Sequence, residues 1–470
     1  MCARRTLISP RRLVAVTIAA GFAVSCTSAS VPSPSQATTT ASPSAATTTS
    51  PSPDSSEAWL TYQHDAGRSG MGTAGPSANT PRLAWRSSAL DGAVYAQPLV
   101  FDGRVIVATE NDSIYALSAG EGNVVWRTHL GTPVPRSSLP CGNIDPTGIT
   151  GTPVIDASAG LVFAVAFVQP GIHELIGVDA TSGRVRFRRR VDAPGSDPLV
   201  QQQRGALTLA NGHVYVPYGG LFGDCGPYHG LVVAVASDGR GPLRSYQVPT
   251  GRAGGIWAPS GLTVGPGGDL YAATGNSDSS GAFDFGDSVI RLSPDLRPLD
   301  SFAPPNWVAL NTGDVDLGSV GPTLLPGGLV FQVGKEGVGY VLRARDLGGI
   351  GGQLGSAPVC SAAFGATAHH GTTIFVPCVD GLVAVRVRAD RSLSIGWRGP
   401  AFNTGPPVVA GGVVWSLDLG SGTLYGFDEA TGRVVARTST GPVAHFAAPS
   451  VAGGSIYVAA TTRILAFETS

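Results

Sequence analysis

The sequence predicts an all-β fold: an eight-bladed β-propeller of four-stranded blades, with the ring closed by an N-terminal strand. Two observations support this prediction. The 470 residues include 65 glycines and 36 prolines, whereas charged residues make up only 13%, and this composition suits short strands joined by tight turns better than helices. A unit of four apolar strands separated by glycine turns also recurs along the chain, at the spacing of roughly 40–50 residues expected for four-stranded blades.

The repeat also predicts how the ring closes. Its clearest copies are residues 96–131, 152–191 and 405–441, and further copies begin near Arg204, Gly254, Asp314 and Cys360. The last copy, 448–470, ends where its fourth strand should begin. Residues 80–88 (TPRLAWRSS) are predicted to supply that strand, because closure leaves no exposed sheet edge. The propeller is therefore expected over residues 58–470.

The N-terminus has the features of a targeting segment over residues 1–26. Four arginines precede the apolar run 13–24, which is too short to span a bilayer as a helix. The run ends in a small residue followed by Cys26, which resembles the lipobox of bacterial lipoproteins and implies a lipid anchor to the membrane at Cys26. Ala23 stands where a lipobox usually has Leu, so plain secretion is the alternative. Either way, the protein is expected to be extracytoplasmic.

A tether is predicted between this segment and the propeller. Residues 27–57 consist almost entirely of Ser, Thr, Pro and Ala, a composition that cannot form a core and favours a disordered, extended chain. The formal net charge of −1 provides no basic surface for nucleic acid, so nucleic-acid binding is not expected. We expect a monomer.

Four cysteines follow the targeting segment, and in an oxidising compartment they predict two disulfides. Three pairings are possible; we favour Cys141–Cys225 and Cys360–Cys378, since the second pair is close in sequence. The chain has no CxxC spacing, which argues against a zinc site, and no CxxCH motif for c-type haem.

The blade ending D-x-x-T-G-x-x-x-W carries a family resemblance. It occurs as VDATSGRVRF, FDEATGRVVA and LSAGEGNVVW, and it resembles the tryptophan-docking repeat of the PQQ-like, or quinoprotein alcohol dehydrogenase-like, propellers. The resemblance covers about residues 59–470. The same family includes a scaffold lipoprotein that helps to assemble outer-membrane β-barrels.

The resemblance implies site residues for an enzyme that binds pyrroloquinoline quinone (PQQ) and a metal ion in the axial funnel. Trp257 in GGIWAPSG matches the residue that stacks on the quinone, and Asn276 in ATGN matches a metal ligand. Asp316 matches the catalytic base, which is also a metal ligand. Lys335, the only lysine in the chain, matches the cation that polarises the quinone, where an ammonium stabilises developing negative charge.

Departures from the family pattern limit this interpretation. The family's metal-binding Glu aligns nearest Cys225, with Asp224 as a possible substitute ligand, and the family's vicinal disulfide is absent. Gly318 stands where lanthanide-using relatives have a second Asp, so Ca²⁺ would be the implied metal. Trp257 could instead be a packing aromatic, and Asp316 a turn residue.

Two functions therefore remain open at the level of sequence. The first is an extracytoplasmic PQQ- and Ca²⁺-dependent dehydrogenase that oxidises alcohol or sugar hydroxyls, with Asp316 and Lys335 as catalytic residues. The second is a non-catalytic scaffold or binding lipoprotein. Its partner would be another protein or a small molecule in the axial funnel.

Overall fold

The computed structural model describes residues 58–72 and 81–468 and confirms the eight-bladed propeller. Eight separate antiparallel meanders are present, one for each predicted repeat. The predicted targeting segment, the predicted tether and Cys26 lie outside the described residues. Within the described part of the chain, no helix has the length and apolarity needed to cross a membrane.

The blades are numbered here in chain order, and the first four share the regular meander, with a short extra strand in blades 3 and 4. Their strands are, for blade 1, Leu99–Phe101, Arg104–Thr109, Ser113–Ser118 and Val124–His129; for blade 2, Val154–Asp156, Leu161–Val168, Ile172–Asp179 and Val185–Arg190; for blade 3, Gln201–Gln202, Thr208–Ala210, His213–Gly220, Leu231–Ala236 and Arg244–Gln247; and for blade 4, Thr263–Val264, Leu270–Ala273, Val289–Leu292, Pro298–Ala303 and Gly349–Ile350.

The other four blades follow the same plan. Their strands are, for blade 5, Thr323–Leu325, Leu329–Gln332, Val338–Arg343 and Gly355–Pro358; for blade 6, Ala368–His370, Thr373–Cys378, Gly381–Val387 and Leu393–Arg398; for blade 7, Val408–Ala410, Val413–Asp418, Thr423–Asp428 and Val434–Ser439; and for blade 8, Ser450–Ala452, Ser455–Ala460, Arg463–Glu468 and Arg82–Arg86. One α-helix, Trp307–Gly313, and two 3₁₀ turns, Arg136–Ser138 and Leu317–Ser319, lie in the described connections.

The ring closes as the sequence predicts. Arg82–Arg86 pairs antiparallel with Arg463–Glu468, and Leu83 lies opposite Phe467. In a typical blade the first strand is buried and the last alternates between buried and exposed residues. First strands of neighbouring blades contact one another. These strands therefore surround the propeller axis.

Aromatic side chains of the outermost strands join one blade to the next. Trp126 of blade 1 donates its indole N–H to the carbonyl of Ala180 in blade 2, at 3.0 Å. The ring packs so closely on Gly183 that a Cβ there would lie 2.7 Å from it. Three further residues pack on the corresponding glycines: Trp85 on Gly122, Phe187 on Gly239 and Trp397 on Gly432. The D-x-x-T-G-x-x-x-W pattern thus combines a turn with an inter-blade contact.

Residues 58–72 form a segment that we call the N-terminal plug. Its backbone pairs with blade 1 through Trp59 and Val100, and with blade 7 through Met71 and Val409. Further hydrogen bonds from the plug reach the innermost parts of blades 2, 3, 4 and 6. Because blades on opposite sides of the ring contact this one short segment, the plug must cross the axis. The sequence analysis did not predict it.

A second feature of the axis repeats in every blade. The residue four positions before the first strand of the main meander lies at an equivalent place in each repeat, and we call this set the axial ring. Its members are Tyr95, Thr150, Arg204, Pro259, Ser319, Phe364, Thr404 and Phe446. The residue two positions further on faces the plug in several blades, since Tyr62 of the plug clusters with Ala206, Ala366 and Ala448.

Candidate functional site

Axial-ring residues from distant blades contact one another, which places them at the axis. The guanidinium carbon of Arg204 lies 5.2 Å from the ring centroid of Tyr95 and 5.1 Å from that of Phe446. Phe446 in turn stacks on Phe364, with ring centroids 5.9 Å apart. Phe446 has φ = 62°, a left-handed conformation that is uncommon for a bulky residue and is often found at functional sites.

Trp257, the predicted stacking residue, joins this aromatic cluster. Its ring centroid lies 6.5 Å from that of Phe364 and 6.3 Å from that of Phe446, both at 44°. The Lys335 ammonium lies 5.9 Å from the centroid of the Trp257 ring, within the range of a cation–π contact. The structure therefore brings two of the four main candidates together at the axis.

The buried carboxylate of Asp316 and the partly buried ammonium of Lys335 form an ion pair beside Trp257. Asp316 is 3% exposed, and one of its carboxylate oxygens, Oδ1, accepts the backbone N–H of Asn276 at 2.8 Å. The other, Oδ2, pairs with the Lys335 ammonium, which also contacts Asp314 Oδ1 at 2.9 Å. The four candidates Trp257, Asn276, Asp316 and Lys335 thus form one cluster.

Burial and the charge of the partner shift the pKa values of Asp316 and Lys335 in opposite directions. Burial raises the pKa of Asp316 above its ordinary value, although Lys335 opposes the shift. For Lys335, burial alone would lower the pKa, but the carboxylates of Asp316 and Asp314 raise it overall. Lys335 therefore carries its positive charge at neutral pH.

The Thr-Gly-Asn stretch 274–276 has a steric role in the cluster. A Cβ at Gly275 would overlap Oδ1 of Asp316 and lie 3.0 Å from the indole nitrogen of Trp257. A Cβ at Gly334, next to Lys335, would lie 2.5 Å from the carbonyl oxygen of Asp316. These glycines allow the functional side chains to approach, a common role of glycine beside a site.

A second buried carboxyl group, Asp287, supports the backbone of this cluster. Its Oδ1 accepts the backbone N–H of Leu317 at 2.8 Å, while Oδ2 is buried without a hydrogen-bond partner among the described residues. Burial, and secondarily the charge of Asp316, raises the pKa of Asp287 from 3.8 to about 8. Asp287 is therefore largely protonated at neutral pH.

Asp287→Asn should reduce the loss of stability with rising pH. Between pH values of about 4 and 8, folded Asp287 keeps a proton that the unfolded chain has released, so the free energy of unfolding falls as the pH rises. The free energy of unfolding of the variant, relative to that of the wild type, should rise by about 1.4 kcal/mol per pH unit in this window. Above the window the difference should stay constant. Urea unfolding at a series of pH values measures the difference. Parallel profiles for the two proteins would contradict the assignment.

Comparisons with known proteins agree with this architecture. Residues 75–216 match the family model described as outer membrane protein assembly factor BamB, a PQQ-type repeat. The quinohemoprotein alcohol dehydrogenase of Pseudomonas putida HK5 superposes with a TM-score of 0.66 at 13% identity, over 88% of this chain and 80% of that chain. The enzyme of Comamonas testosteroni gives 0.65 at 16% identity, over 87% and 80%. The described residues share the eight-bladed propeller fold of these proteins, and the match to the repeat family covers residues 75–216.

The same fold also occurs in the assembly factor BamB. BamB of Moraxella catarrhalis superposes with a TM-score of 0.56 at 13% identity, over 83% of this chain and 98% of that chain. A search of the curated proteins found no significant match. At these identities the structural likenesses show the fold and leave the choice between the two kinds of function to the site itself.

The carboxylates of the cluster do not fit a calcium ion well. Calcium takes six to eight oxygen ligands, but both carboxylate oxygens of Asp316 already have partners, Asn276 N–H and Lys335. Asp224 is exposed, and its Oδ1 accepts the hydroxyl of Tyr228 at 2.6 Å. A calcium ion on Asp316 would compete with the Lys335 ammonium for Oδ2.

The four cysteines of the propeller form two disulfides, Cys141–Cys225 and Cys360–Cys378. This is the pairing favoured from the sequence. Cys360 and Cys378 also lie near the carboxylate of Asp380, which makes them the one His, Cys, Asp and Glu cluster of metal-ligand spacing in the described residues. Since both sulfurs are bonded to each other, this cluster is not a metal site.

The sequence analysis did not identify three residues of the axial ring as part of the site. Arg204, Phe364 and Phe446 carry no motif, and only their equivalent position before the first strand of each repeat connects them. Aligning the eight repeats on the first strand would have placed the three side chains in one ring. Their different residue types then indicate a site rather than a packing pattern.

Proposed function

We propose that this propeller is an extracytoplasmic protein that binds a small, planar, quinone-type ligand such as PQQ at its axis. The observation that carries the proposal is the position of the Lys335 ammonium 5.9 Å from the centroid of the Trp257 ring. A flat ligand on the indole would place a carbonyl or carboxylate oxygen beside that ammonium, and such charge-assisted contacts are strong. Membrane anchoring at Cys26 stays a prediction.

The cluster also has groups suited to oxidation of a hydroxyl. A bound quinone would supply a two-electron acceptor. Asp316 is a buried carboxylate whose pKa is raised by desolvation, which favours its accepting a proton. Lys335 would hold the charge of Asp316 and stabilise negative charge on a ligand oxygen. Because the carboxylates do not fit calcium, we propose that binding does not require the metal.

Titration with PQQ tests the proposal. The protein, purified with both disulfides intact, is titrated with and without Ca²⁺ while tryptophan fluorescence is recorded. We expect saturable quenching that does not depend on Ca²⁺, and at least a tenfold weaker affinity in Trp257→Leu, which removes the stacking surface. Trp397→Phe, at an inter-blade contact away from the cluster, is the matched control and should bind like the wild type.

A scaffold is the second candidate, favoured by the match of residues 75–216 to the assembly-factor model and by the likeness to BamB. Within that matched region, Val124 and Val125 of the outermost strand of blade 1 are 44% and 50% exposed. If PQQ does not bind at concentrations that load a known quinoprotein, the quinone proposal fails and the scaffold is retained. Saturable binding that is equal in Trp257→Leu would also overturn the proposed site.

A further inference from the structure

We propose that the axis of the propeller holds an anion site at Arg204 that binds a carboxylate group of a small molecule. Arg204 contacts Phe446, which in turn contacts Trp257, so the site adds a chemical requirement to the ligand. The inference extends the proposed function, but it applies to any ligand with a flat apolar body and a carboxylate.

Arg204 is a partly buried cation without an ion pair. Within the described ranges no carboxylate oxygen lies within 4.0 Å of its guanidinium, and its one hydrogen bond goes to the carbonyl of His445 at 3.0 Å. The rings of Tyr95 and Phe446, at 5.2 and 5.1 Å, hold the guanidinium in place. A buried charge is costly unless it is paired, so an anionic ligand would stabilise this arrangement.

Other arginines of the chain satisfy the same requirement internally. The guanidinium of Arg68 donates five hydrogen bonds to surrounding oxygens. Arg127 lies 5.5 Å from the ring of Tyr115, as Arg204 does from Tyr95, but it is paired with Asp91 at 2.6 Å. Arg204 therefore packs against aromatic rings as Arg127 does, but it lacks the carboxylate of Arg127 and the several oxygen acceptors of Arg68.

The hydroxyl of Tyr62 provides an independent sign of a ligand. Tyr62 belongs to the plug, is 2% exposed, and its hydroxyl has no hydrogen-bond partner among the described residues. Burial raises the pKa of Tyr62, and the charges of Arg204 and Arg68 oppose the shift. Because buried hydroxyls are nearly always hydrogen-bonded, an acceptor is expected there.

The acidic neighbour Glu110 neutralises Arg204 only in part near neutral pH. Glu110 is 2% exposed, and its Oε2 accepts the backbone N–H of Gly148 at 2.7 Å. Burial raises the pKa of Glu110 to about 7, although Gly148, Thr150 and Arg204 oppose the shift. Near neutral pH this carboxyl is therefore partly protonated, and it leaves much of the Arg204 charge to a ligand.

Phe446 determines the shape of the ligand. Its ring lies 6.3 Å from that of Trp257 and 5.1 Å from the guanidinium of Arg204. Lys335 lies beside Trp257, and Arg204 lies beside Phe446. We therefore expect an aromatic ligand that carries more than one acidic group.

A pair of probes that differ only in charge tests the inference. Naphthalene-2,6-dicarboxylate and its diamide are titrated into the disulfide-intact protein by calorimetry near pH 7, in the wild type and in Arg204→Gln and Arg204→Lys. We expect the dicarboxylate to bind the wild type at least tenfold more tightly than the diamide, and the Gln variant to lose this preference. The Lys variant should keep part of it. Arg127→Met, at an arginine–aromatic contact on an outer strand, is the matched control and should keep all of it.

Three results would overturn the anion site: no binding of the dicarboxylate to the wild type, equal binding of the diamide, or an unchanged preference in Arg204→Gln. The comparison of the two probes on the wild type needs no variant, so a variant that fails to fold does not obscure the result. If the dicarboxylate binds through Arg204 while PQQ does not bind at all, the quinone proposal fails and the anion site stands.

Discussion

Replacing Lys335 by methionine should lower the free energy of unfolding by about 3 kcal/mol at neutral pH, because it leaves the buried carboxylate of Asp316 without its cation. Asp316 is 3% exposed and would keep only the backbone N–H of Asn276. Methionine has nearly the volume of lysine, so the loss would come from charge rather than from a cavity. Urea unfolding of the wild type and the variant measures the difference.

A second substitution separates charge from packing. In Lys335→Met combined with Asp316→Asn, the isolated charge is gone, and most of the lost stability should return. Arg343→Met is the control, because Arg343 and Asp346 form an exposed pair at 3.4 Å and such pairs contribute about 1 kcal/mol or less. A Lys335→Met protein within about 1 kcal/mol of the wild type, or a double variant no better than the single one, would show that the pair does not stabilise the fold.

This result also bears on the unusual presence of one lysine in the chain. Lys335 contacts Asp314 and Asp316 and lies over Trp257. A compact ammonium can point three donors in different directions, whereas the planar guanidinium of arginine suits a bidentate partner. The geometry therefore provides a physical reason for lysine at this position, whether or not a ligand oxygen completes the contacts.

The parts of the structure that the sequence predicts correctly are those carried by the repeat. The blade number follows from its spacing, and the pairing of Arg82–Arg86 with Arg463–Glu468 follows from the missing last strand. Trp257 and Lys335 meet because both lie in motif-bearing segments of adjacent blades. In each case a local sequence pattern places the residue at a defined point of its blade. The ring then brings the equivalent points of neighbouring blades into contact.

The N-terminal plug could not be predicted in this way, because its contacts are not local. Arg68 bonds the carbonyls of Leu207 and Leu262, which are 139 and 194 residues away. No periodicity in residues 58–72 signals this role. From the sequence alone, a single arginine close to the predicted tether would be expected to be exposed to solvent. Only the folded structure places carbonyl groups around Arg68.

Asp224 shows the opposite limit, since the sequence predicts it as a metal ligand but does not reveal the neighbours that bond it. It lies near the position aligned with the family's metal-binding Glu, yet its side chain accepts the Tyr228 hydroxyl, and Arg252 bonds its backbone carbonyl. The orientation of a side chain in an exposed loop depends on such neighbours. An alignment of one chain with a motif cannot show which way a side chain points.

Replacing Arg68 by methionine should be similarly costly, lowering the free energy of unfolding by at least about 3 kcal/mol, because five hydrogen bonds from one charged donor group are lost and buried carbonyl oxygens are left without partners. Arg68 is 1% exposed and bonds Thr61 Oγ1, Thr208 Oγ1 and three backbone carbonyls. Burial lowers its pKa to about 10, so it stays charged at neutral pH.

The plug makes the effect of this substitution distinguishable from general destabilisation. Hydrogen exchange should accelerate first at the backbone amides of residues 58–72, such as Trp59 and Gly72, which bond Val100 and Val409. Amides inside the blade sheets should change less. Since Tyr62 belongs to the plug, the dicarboxylate should also bind more weakly. Uniform acceleration across all blades would mean that Arg68 stabilises the whole ring, and an unchanged exchange rate in 58–72 would show that the plug is held without it.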